Sequence, residues 1–317
     1  MSVFTEVGHA ELEAFLSAFA LGRLLEHQGI EGGSENSNFF VATETGDFVL
    51  TLVERGPVAD LPFFIALLER LHQADLPVPY ALPDRAGQTL HQLKGRPALL
   101  QPRLPGRHVE QPDPSHCQAV GQALARLHLA TAQSGLLRES DRGLLWMQRE
   151  LQGRLVQADS ADREQLLPLA GLLEDWHACP PDLPQAVLHG DLFRDNVLFD
   201  GHHLSGLIDF YNAASGWALY DVAICVNDWC LNPRQQLDPA RTQALLSGYA
   251  SLRPFTPLEA QHWHAVLRLA ALRFWLSRQA AADQFSGQRG VLVKDPQHFL
   301  ALLGNFQQID SSLPLAL

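Results

Sequence analysis

Lysine is almost missing from this sequence. Lys94 and Lys294 are its only two, and arginine supplies the rest of the positive charge. Acidic residues outnumber basic ones by 35 to 23, a net charge of −12. A nucleic-acid surface needs a basic stripe, so nucleic acid is not an expected partner. Nucleotides stay open, because a bound cation can neutralise phosphates locally. Cysteine is sparse as well: Cys117, Cys179, Cys225 and Cys230 form no C-x-x-C pair and read as reduced, structural thiols. No stretch approaches the roughly 18 uncharged apolar residues of a spanning helix. The first sixteen residues lack a basic segment, and Glu11 and Glu13 interrupt their apolar pattern, so a signal peptide is not expected. Internal repeats and low-complexity tracts are absent too. These absences leave a cytoplasmic protein with neither a nucleic-acid nor a membrane partner as the expectation.

Apolar residues make up 46% and charged residues 18%, the balance of an ordinary globular protein. A chain of 317 residues is long for one compact core and suits two domains. Residues 11–21 carry apolar side chains at helical spacing. "NFFVAT" (38–43) and "DFVLTLVE" (47–54) read as strands joined by the turn "ETGD". An amphipathic helix follows over 61–76, stopped by the prolines of "LPVPYAL". Strands are predicted around 88–93 and 97–101. The Pro- and Gly-rich stretch "RLPGRHVEQPDP" (103–114) is the best linker. Beyond it, helices are predicted over 116–132, 143–152, 163–178, 219–231, 239–251 and 257–282.

Between those helices lies "AVLHGDLFRDNVLFD" (186–200), a strand, a polar loop and a strand, and then "LSGLIDFYN" (204–212). Antiparallel strands of this kind are expected to bring Asp191, Asn196 and Asp209 to one end of a hairpin. Phosphoryl transfer needs such a set. Asp191 can orient an attacking hydroxyl and accept its proton, while Asn196 and Asp209 offer a neutral and an anionic oxygen to Mg²⁺ on nucleotide phosphates. One acid must stay off the metal to receive the proton. Alone, each of these residues reads as an ordinary turn former; the full spacing carries the chemistry. "GHH" (201–203) reads as a hairpin turn rather than a zinc site, and His189 as a residue that fixes the loop.

The pattern H-G-D-x-x-x-x-N followed by "DF" resembles the catalytic and metal-binding segments of the protein-kinase-like superfamily. Gly190 stands where protein kinases carry Arg, and no A-P-E segment follows, which points to the small-molecule branch typified by aminoglycoside and choline kinases. "ENSNFFV", "LLQPRLPGRH", "HGDLFRDNVLF", "GLIDFYNA", "YDVAICVNDWC" and "LRFWLSR" narrow the resemblance to the homoserine kinases of this fold, over nearly the whole chain. The resemblance implies an α+β, bilobal protein-kinase-like fold: a small antiparallel-sheet N-lobe over 1–103 that binds nucleotide, and a larger, mainly helical C-lobe over 104–317 that carries catalysis and substrate. It implies ATP as co-substrate, Mg²⁺ as cofactor, and L-homoserine as acceptor, giving O-phospho-L-homoserine on the route to threonine. The residues alone imply phosphoryl transfer to a small alcohol. An aminoglycoside, choline or hydroxylated amino-acid kinase stays open, as does a nucleotide-binding regulator without turnover.

The superfamily's phosphate-holding lysine has no counterpart. Thr51 takes its place on the matching strand, and Glu69, the natural match for its acidic partner, also reads as a plain solvated helix acid. Arg55 or Arg103 can substitute, as can the loop donors Gly32, Gly33, Ser34, Asn36 and Asn38, with Gln101 completing the nucleotide-binding set. A zwitterionic acceptor needs an acid for its ammonium and a cation for its carboxylate. Asp228 is the first candidate for the ammonium, with Asn227 beside it, and Asp221 is as readily structural. Arg273, among Arg268, Arg273 and Arg278, is the candidate for the carboxylate, although each arginine also reads as a surface ion pair. Tyr211 and Asn212 directly follow the metal acid and can line the acceptor side.

Overall fold

Phe39 and Val41, and Phe48, Leu50 and Leu52, alternate along two neighbouring strands and so turn to one side of a sheet, where they join a buried apolar cluster with Leu12, Leu16, Ala98 and Leu100. The computed structural model describes residues 4–30, 36–284, 294–306 and 311–315. The chain divides into two units, Met1–Gly106 with Ser205–Ile208, and Arg107–Leu204 with Asp209–Leu317.

The first unit holds helix α1 (His9–Leu16), strands β1 (Leu24–Gly29), β2 (Ser37–Thr43) and β3 (Gly46–Leu52), helix α2 (Leu61–Gln73), and strands β4 (His91–Leu93) and β5 (Arg96–Pro102). The strands form an antiparallel sheet in the order β1-β2-β3-β5-β4. Strand β1 was not expected. Its burial pattern shows why: Leu24 alone is buried, and a bulge after it breaks the register with β2, so no alternation marks it. Helix α1 stops short of the expected residue 21, where the Ser17 hydroxyl turns back onto the Ala14 carbonyl at 2.6 Å. Residues 205–208 return to this unit through the Leu207 N–H on the Pro77 carbonyl and the Ser205 hydroxyl on the Pro105 carbonyl.

In the second unit, helices α3 (Pro114–Thr131), α4 (Leu144–Gln157) and α5 (Ser160–Ala178) precede strands β6 (Gln185–Leu188), β7 (Val197–Asp200), β8 (His203–Leu207), whose residues from Ser205 on belong to the first unit, and β9 (Ala214–Trp217). Helices α6 (Ala218–Trp229), α7 (Pro239–Ala250), α8 (Pro257–Gln284) and α9 (Gln297–Asn305) follow. Asp113 caps α3 by accepting the Ser115 and His116 N–H groups, and His202, in the β7–β8 turn, reaches the Ser115 hydroxyl at 2.8 Å. Helices α3 and α7 cross at backbone contact. A Cβ on Gly121 would meet the Leu245 carbonyl at 2.1 Å, and one on Gly248 the Gln118 carbonyl at 2.4 Å. Among the described residues no helix is long and apolar enough to cross a membrane.

The strand pairing around the catalytic motif corrects the expected hairpin. β6 pairs with the unforeseen β9, and β7 with β8. The polar loop 189–196 and the turn 208–213 therefore both run between the same two ribbons, and that arrangement, rather than a hairpin end, gathers the polar side chains.

Candidate active site

The loop that leaves β6 is fastened to α6 along its length. Asp221 has no exposed surface, and its carboxylate accepts the His189 N–H at 2.7 Å and the Gly190 N–H at 3.0 Å. His128 Nε2 lies 3.2 Å from the same carboxylate, and His128 Nδ1 is 2.7 Å from the Tyr249 hydroxyl. Burial alone would raise the Asp221 carboxyl, but the His128 hydrogen bond, the neighbouring imidazoles and the backbone donor outweigh it and hold it below its ordinary value. One turn on, the Cys225 thiol meets the Leu192 carbonyl at 3.6 Å, and Trp229 Nε1 donates to that carbonyl at 3.0 Å. Asp228 accepts the Arg194 N–H at 2.8 Å and its Nε at 3.2 Å. Residues 221, 225, 228 and 229 lie on one helical face, so α6 grips the loop at three successive points.

Gly190 is required by this path. Its φ is +75°, and a Cβ there would sit 2.6 Å from the Asn212 carbonyl. The glycine thus lets the loop pass against the turn that carries Asp209 and Asn212.

Within the loop, Asn196 donates Nδ2 to the Asp191 carbonyl at 2.8 Å, which commits the amide nitrogen and leaves Oδ1 as the oxygen for a cation. Asn212 Nδ2 donates to Asp191 Oδ2 at 3.3 Å, and the Arg273 Nη2 donates to Asn212 Oδ1 at 3.2 Å. Desolvation pushes the Asp191 carboxyl up to about 7, Arg273 pulls it down, and the charges of Asp209 and Asp195 add to the rise. Asp209 adopts a left-handed backbone, φ 65° and ψ 64°, unusual for a residue with a side chain and found where the surroundings impose it. Asn196 is thus bonded to the backbone of Asp191, the charge of Asp209 reaches the Asp191 carboxyl, and the three could together serve as a proton acceptor and two oxygen ligands for a hard divalent cation.

Beside them lies a cavity of about 200 Å³, lined among others by Gly190, Asn212, Trp217, Tyr220, Arg142 and Arg273. Arg273 is buried, and its low-polarity surroundings lower its pKa from the ordinary guanidinium value. Arg278 points elsewhere, with Nη1 on the Asp295 carbonyl and its guanidinium over the Phe299 ring. Asn227 and Asp228, expected to meet an acceptor ammonium, are otherwise engaged. Asn227 is fully buried and donates to the Leu267 carbonyl on α8, and Asp228 holds Arg194. Tyr211 sits in the turn after Asp209, outside the cavity lining. Asn212 was reachable from the sequence only by its place after "DF", and Tyr220, in the first turn of α6, carried no signal of its own.

In the first unit, Thr51 is buried on β3 and donates Oγ1 to Asn38 Oδ1 at 2.7 Å, with Gln101 Oε1 at 3.5 Å. The row Asn38–Thr51–Gln101 crosses β2, β3 and β5 on the face opposite the apolar cluster. On that face the Arg103 guanidinium stacks 4.1 Å from the Phe40 ring centroid. Asn36 Oδ1 accepts the Glu54 N–H at 3.2 Å. Arg55 stacks over Phe4 instead, and Glu69 is an exposed helix acid bonded to Gln73. Gly32, Gly33 and Ser34 lie outside the described residues.

Comparison with known proteins matches residues 26–255 to the phosphotransferase enzyme family. The chain is 57% identical over its full length to a homoserine kinase of Pseudomonas aeruginosa, covering all of both proteins. It is 41% identical to a homoserine kinase of Methylobacillus flagellatus, over 96% of this chain and 94% of that one. Among solved structures, an amicoumacin kinase in complex with AMP-PNP, Ca²⁺ and its antibiotic superposes with a TM-score of 0.68 at 14% identity, covering 98% of this chain and 96% of that one. A spectinomycin phosphotransferase gives 0.65 at 13% identity, covering 97% and 96%. At such identities these two establish the shared protein-kinase-like fold. The full-length relatives go further, and the chain belongs to the homoserine kinases of the phosphotransferase enzyme family.

Proposed function

We propose that the chain transfers the γ-phosphoryl group of ATP to the side-chain hydroxyl of L-homoserine, giving O-phospho-L-homoserine and ADP for threonine biosynthesis in the cytoplasm. The observation that carries this reading is that the Asp191 carboxyl is held by Asn212, beside Asn196 and near a cavity that no acidic residue lines among the described residues. The acceptor oxygen bonds to the γ-phosphorus as the bond to the β,γ-bridging oxygen breaks, and the hydroxyl proton passes to Asp191. Asn196 Oδ1 and Asp209 would hold Mg²⁺, which would supply positive charge to offset that of the ATP phosphates. The first unit would bind ATP through Gly32, Gly33, Ser34, Asn36, Thr51, Gln101 and Arg103. In this reading a neutral hydroxyl–amide row, with the Arg103 cation at its edge, replaces the lysine of other members of the fold.

The cavity lining favours an acceptor that carries a carboxylate, as homoserine does, over the cationic alcohols. Arg142 and Arg273 line it, and no acidic residue does so among the described residues. Choline and aminoglycosides are cationic and would be repelled, and a space of about 200 Å³ suits an acceptor of amino-acid size. A panel of L-homoserine, choline, an aminoglycoside, L-serine and L-threonine, scored by ADP release with Mg-ATP, tests the reading. Homoserine is expected to stimulate most, and no stimulation by it alongside strong stimulation by another alcohol would overturn the assignment. Asp191→Asn should lower turnover by about 10²–10⁴-fold while Mg-ATP affinity stays close to that of the parent.

A further inference from the structure

Two residues that line the cavity beside Asp191 each carry a buried polar atom without a hydrogen-bond partner among the described residues: Nη1 of Arg273 and the hydroxyl of Tyr220. Buried donors are nearly always satisfied, and one left unpaired costs stability, so a pair of them in one cavity points to a ligand that satisfies both. Burial pushes the Tyr220 hydroxyl up to about 12, so it stays protonated and can donate. The guanidinium also donates, and Arg142 adds a second positive charge to the lining. Two such donors, with a second arginine and no acidic residue in the lining among the described residues, match the two oxygens of a carboxylate.

The opposite side of the same guanidinium is already committed. Arg273 Nη2 donates to Asn212 Oδ1 at 3.2 Å, and this fixes which way the Asn212 amide faces: its nitrogen must turn to Asp191 Oδ2, 3.3 Å away. Were the amide reversed, its oxygen would face the carboxylate and its NH₂ the guanidinium, both repulsive. The Arg273 guanidinium itself lies over the Phe274 ring, 4.1 Å from its centroid.

Resting on the homoserine reading above, we propose that Arg273 and Tyr220 form the subsite for the acceptor's carboxylate, and that Arg273 links occupancy of this subsite to the orientation of Asp191 through Asn212. Arg273 and Tyr220 are binding residues, and Asn212 is a positioning residue. A carboxylate on Nη1 pins the guanidinium, the guanidinium pins the amide, and the amide holds the base toward the incoming hydroxyl. The carboxylate therefore contributes to turnover as well as to binding, and an alcohol that fits the cavity without a carboxylate is turned over slowly even at saturation.

Two truncated acceptors and three variants test this. 3-Amino-1-propanol is homoserine without its carboxylate, and 4-hydroxybutanoate is homoserine without its ammonium. With the parent protein, 3-amino-1-propanol should show a kcat at least 10-fold below that of homoserine as well as a raised KM, whereas 4-hydroxybutanoate should lose mainly in KM. Tyr220→Phe should raise KM for homoserine about 10-fold with kcat nearly unchanged, and leave 3-amino-1-propanol unaffected. Asn212→Ala should lower kcat for homoserine with little change in KM. Arg273→Gln should bring homoserine down to the level of 3-amino-1-propanol, and melting temperatures confirm that each variant is folded. Equal kcat for homoserine and 3-amino-1-propanol in the parent, or an unchanged homoserine KM in Tyr220→Phe, would overturn the subsite while leaving the kinase assignment standing. Turnover of neither homoserine nor its truncated forms, with turnover of an unrelated alcohol, would instead remove the homoserine reading and this inference with it.

Discussion

The two ends of the catalytic loop are held by carboxylates from one helix, at different depths. At the first end Asp221 has no exposed surface and receives two backbone N–H groups and an imidazole that a tyrosine hydroxyl in turn orients. At the second end Asp228 and Arg194 keep 13% and 36% of their side chains exposed, and solvent screens their pairing. Removing the deep anchor strands buried donors, whereas water can replace the shallow one. The rigid end adjoins Gly190 and Asp191, the base in the proposed reaction, and the softer end adjoins Asn196, the ligand proposed for the cation.

The largest effect is expected from Asp221→Ala. Breaking a buried, paired carboxylate costs about 3–5 kcal/mol, so chemical denaturation should show a loss of that size with activity lost alongside. The Asp221 carboxyl is held below its ordinary value in the folded chain, so its contribution is fully present above the unfolded carboxylate pKa of about 4 and is lost as pH falls through the folded value. Stability curves against pH should therefore converge in acid between the parent and Asp221→Asn; parallel curves below pH of about 4 would contradict the anchor role.

Gly190→Ala comes next. The added methyl must hold a left-handed backbone and displace the Asn212 carbonyl, and strain at such positions costs about 1–3 kcal/mol. A fall in kcat larger than the fall in melting temperature explains would show that the shift reaches Asp191 through Asn212. Asp228→Asn should cost about 1 kcal/mol in denaturant titrations, since an amide oxygen can still accept the Arg194 N–H. A loss as large as that of Asp221→Ala would erase the contrast between the two ends. Lys294→Ala should change stability least, by at most about 0.5 kcal/mol, because its pair with Asp195 is about half exposed on both sides. The same titration with and without 0.5 M salt checks that this pair is screened.

The polar loop was legible because it is local: His189 to Asn196 are consecutive, and their spacing survives whatever packs around them. The helical spacing of Asp221 and Asp228 was legible too, since seven residues return nearly to one face. Which partner that face meets was not: in the sequence Asp228 reads as a match for a substrate ammonium, and in the fold it accepts the Arg194 N–H. The cavity was least legible, because its lining comes from α4, β6, β9, α6 and α8, which only the fold assembles. Short elements escaped for a related reason. The four residues of β9 include Gly216 and are only partly buried beyond Ala214, so pairing with β6 defines them rather than their own pattern.

The grip of α6 also has a bearing on how this chain can diverge. A helix advances about 100° per residue, so its contacts with the loop are set by count rather than by composition. Single replacements at 222–224 or 226 leave the register intact. One residue inserted between Asp221 and Cys225 would swing Cys225, Asp228 and Trp229 about a quarter-turn away from Leu192 and Arg194. Length over this stretch should thus be far less permissive than identity, and the helix serves the loop as a ruler.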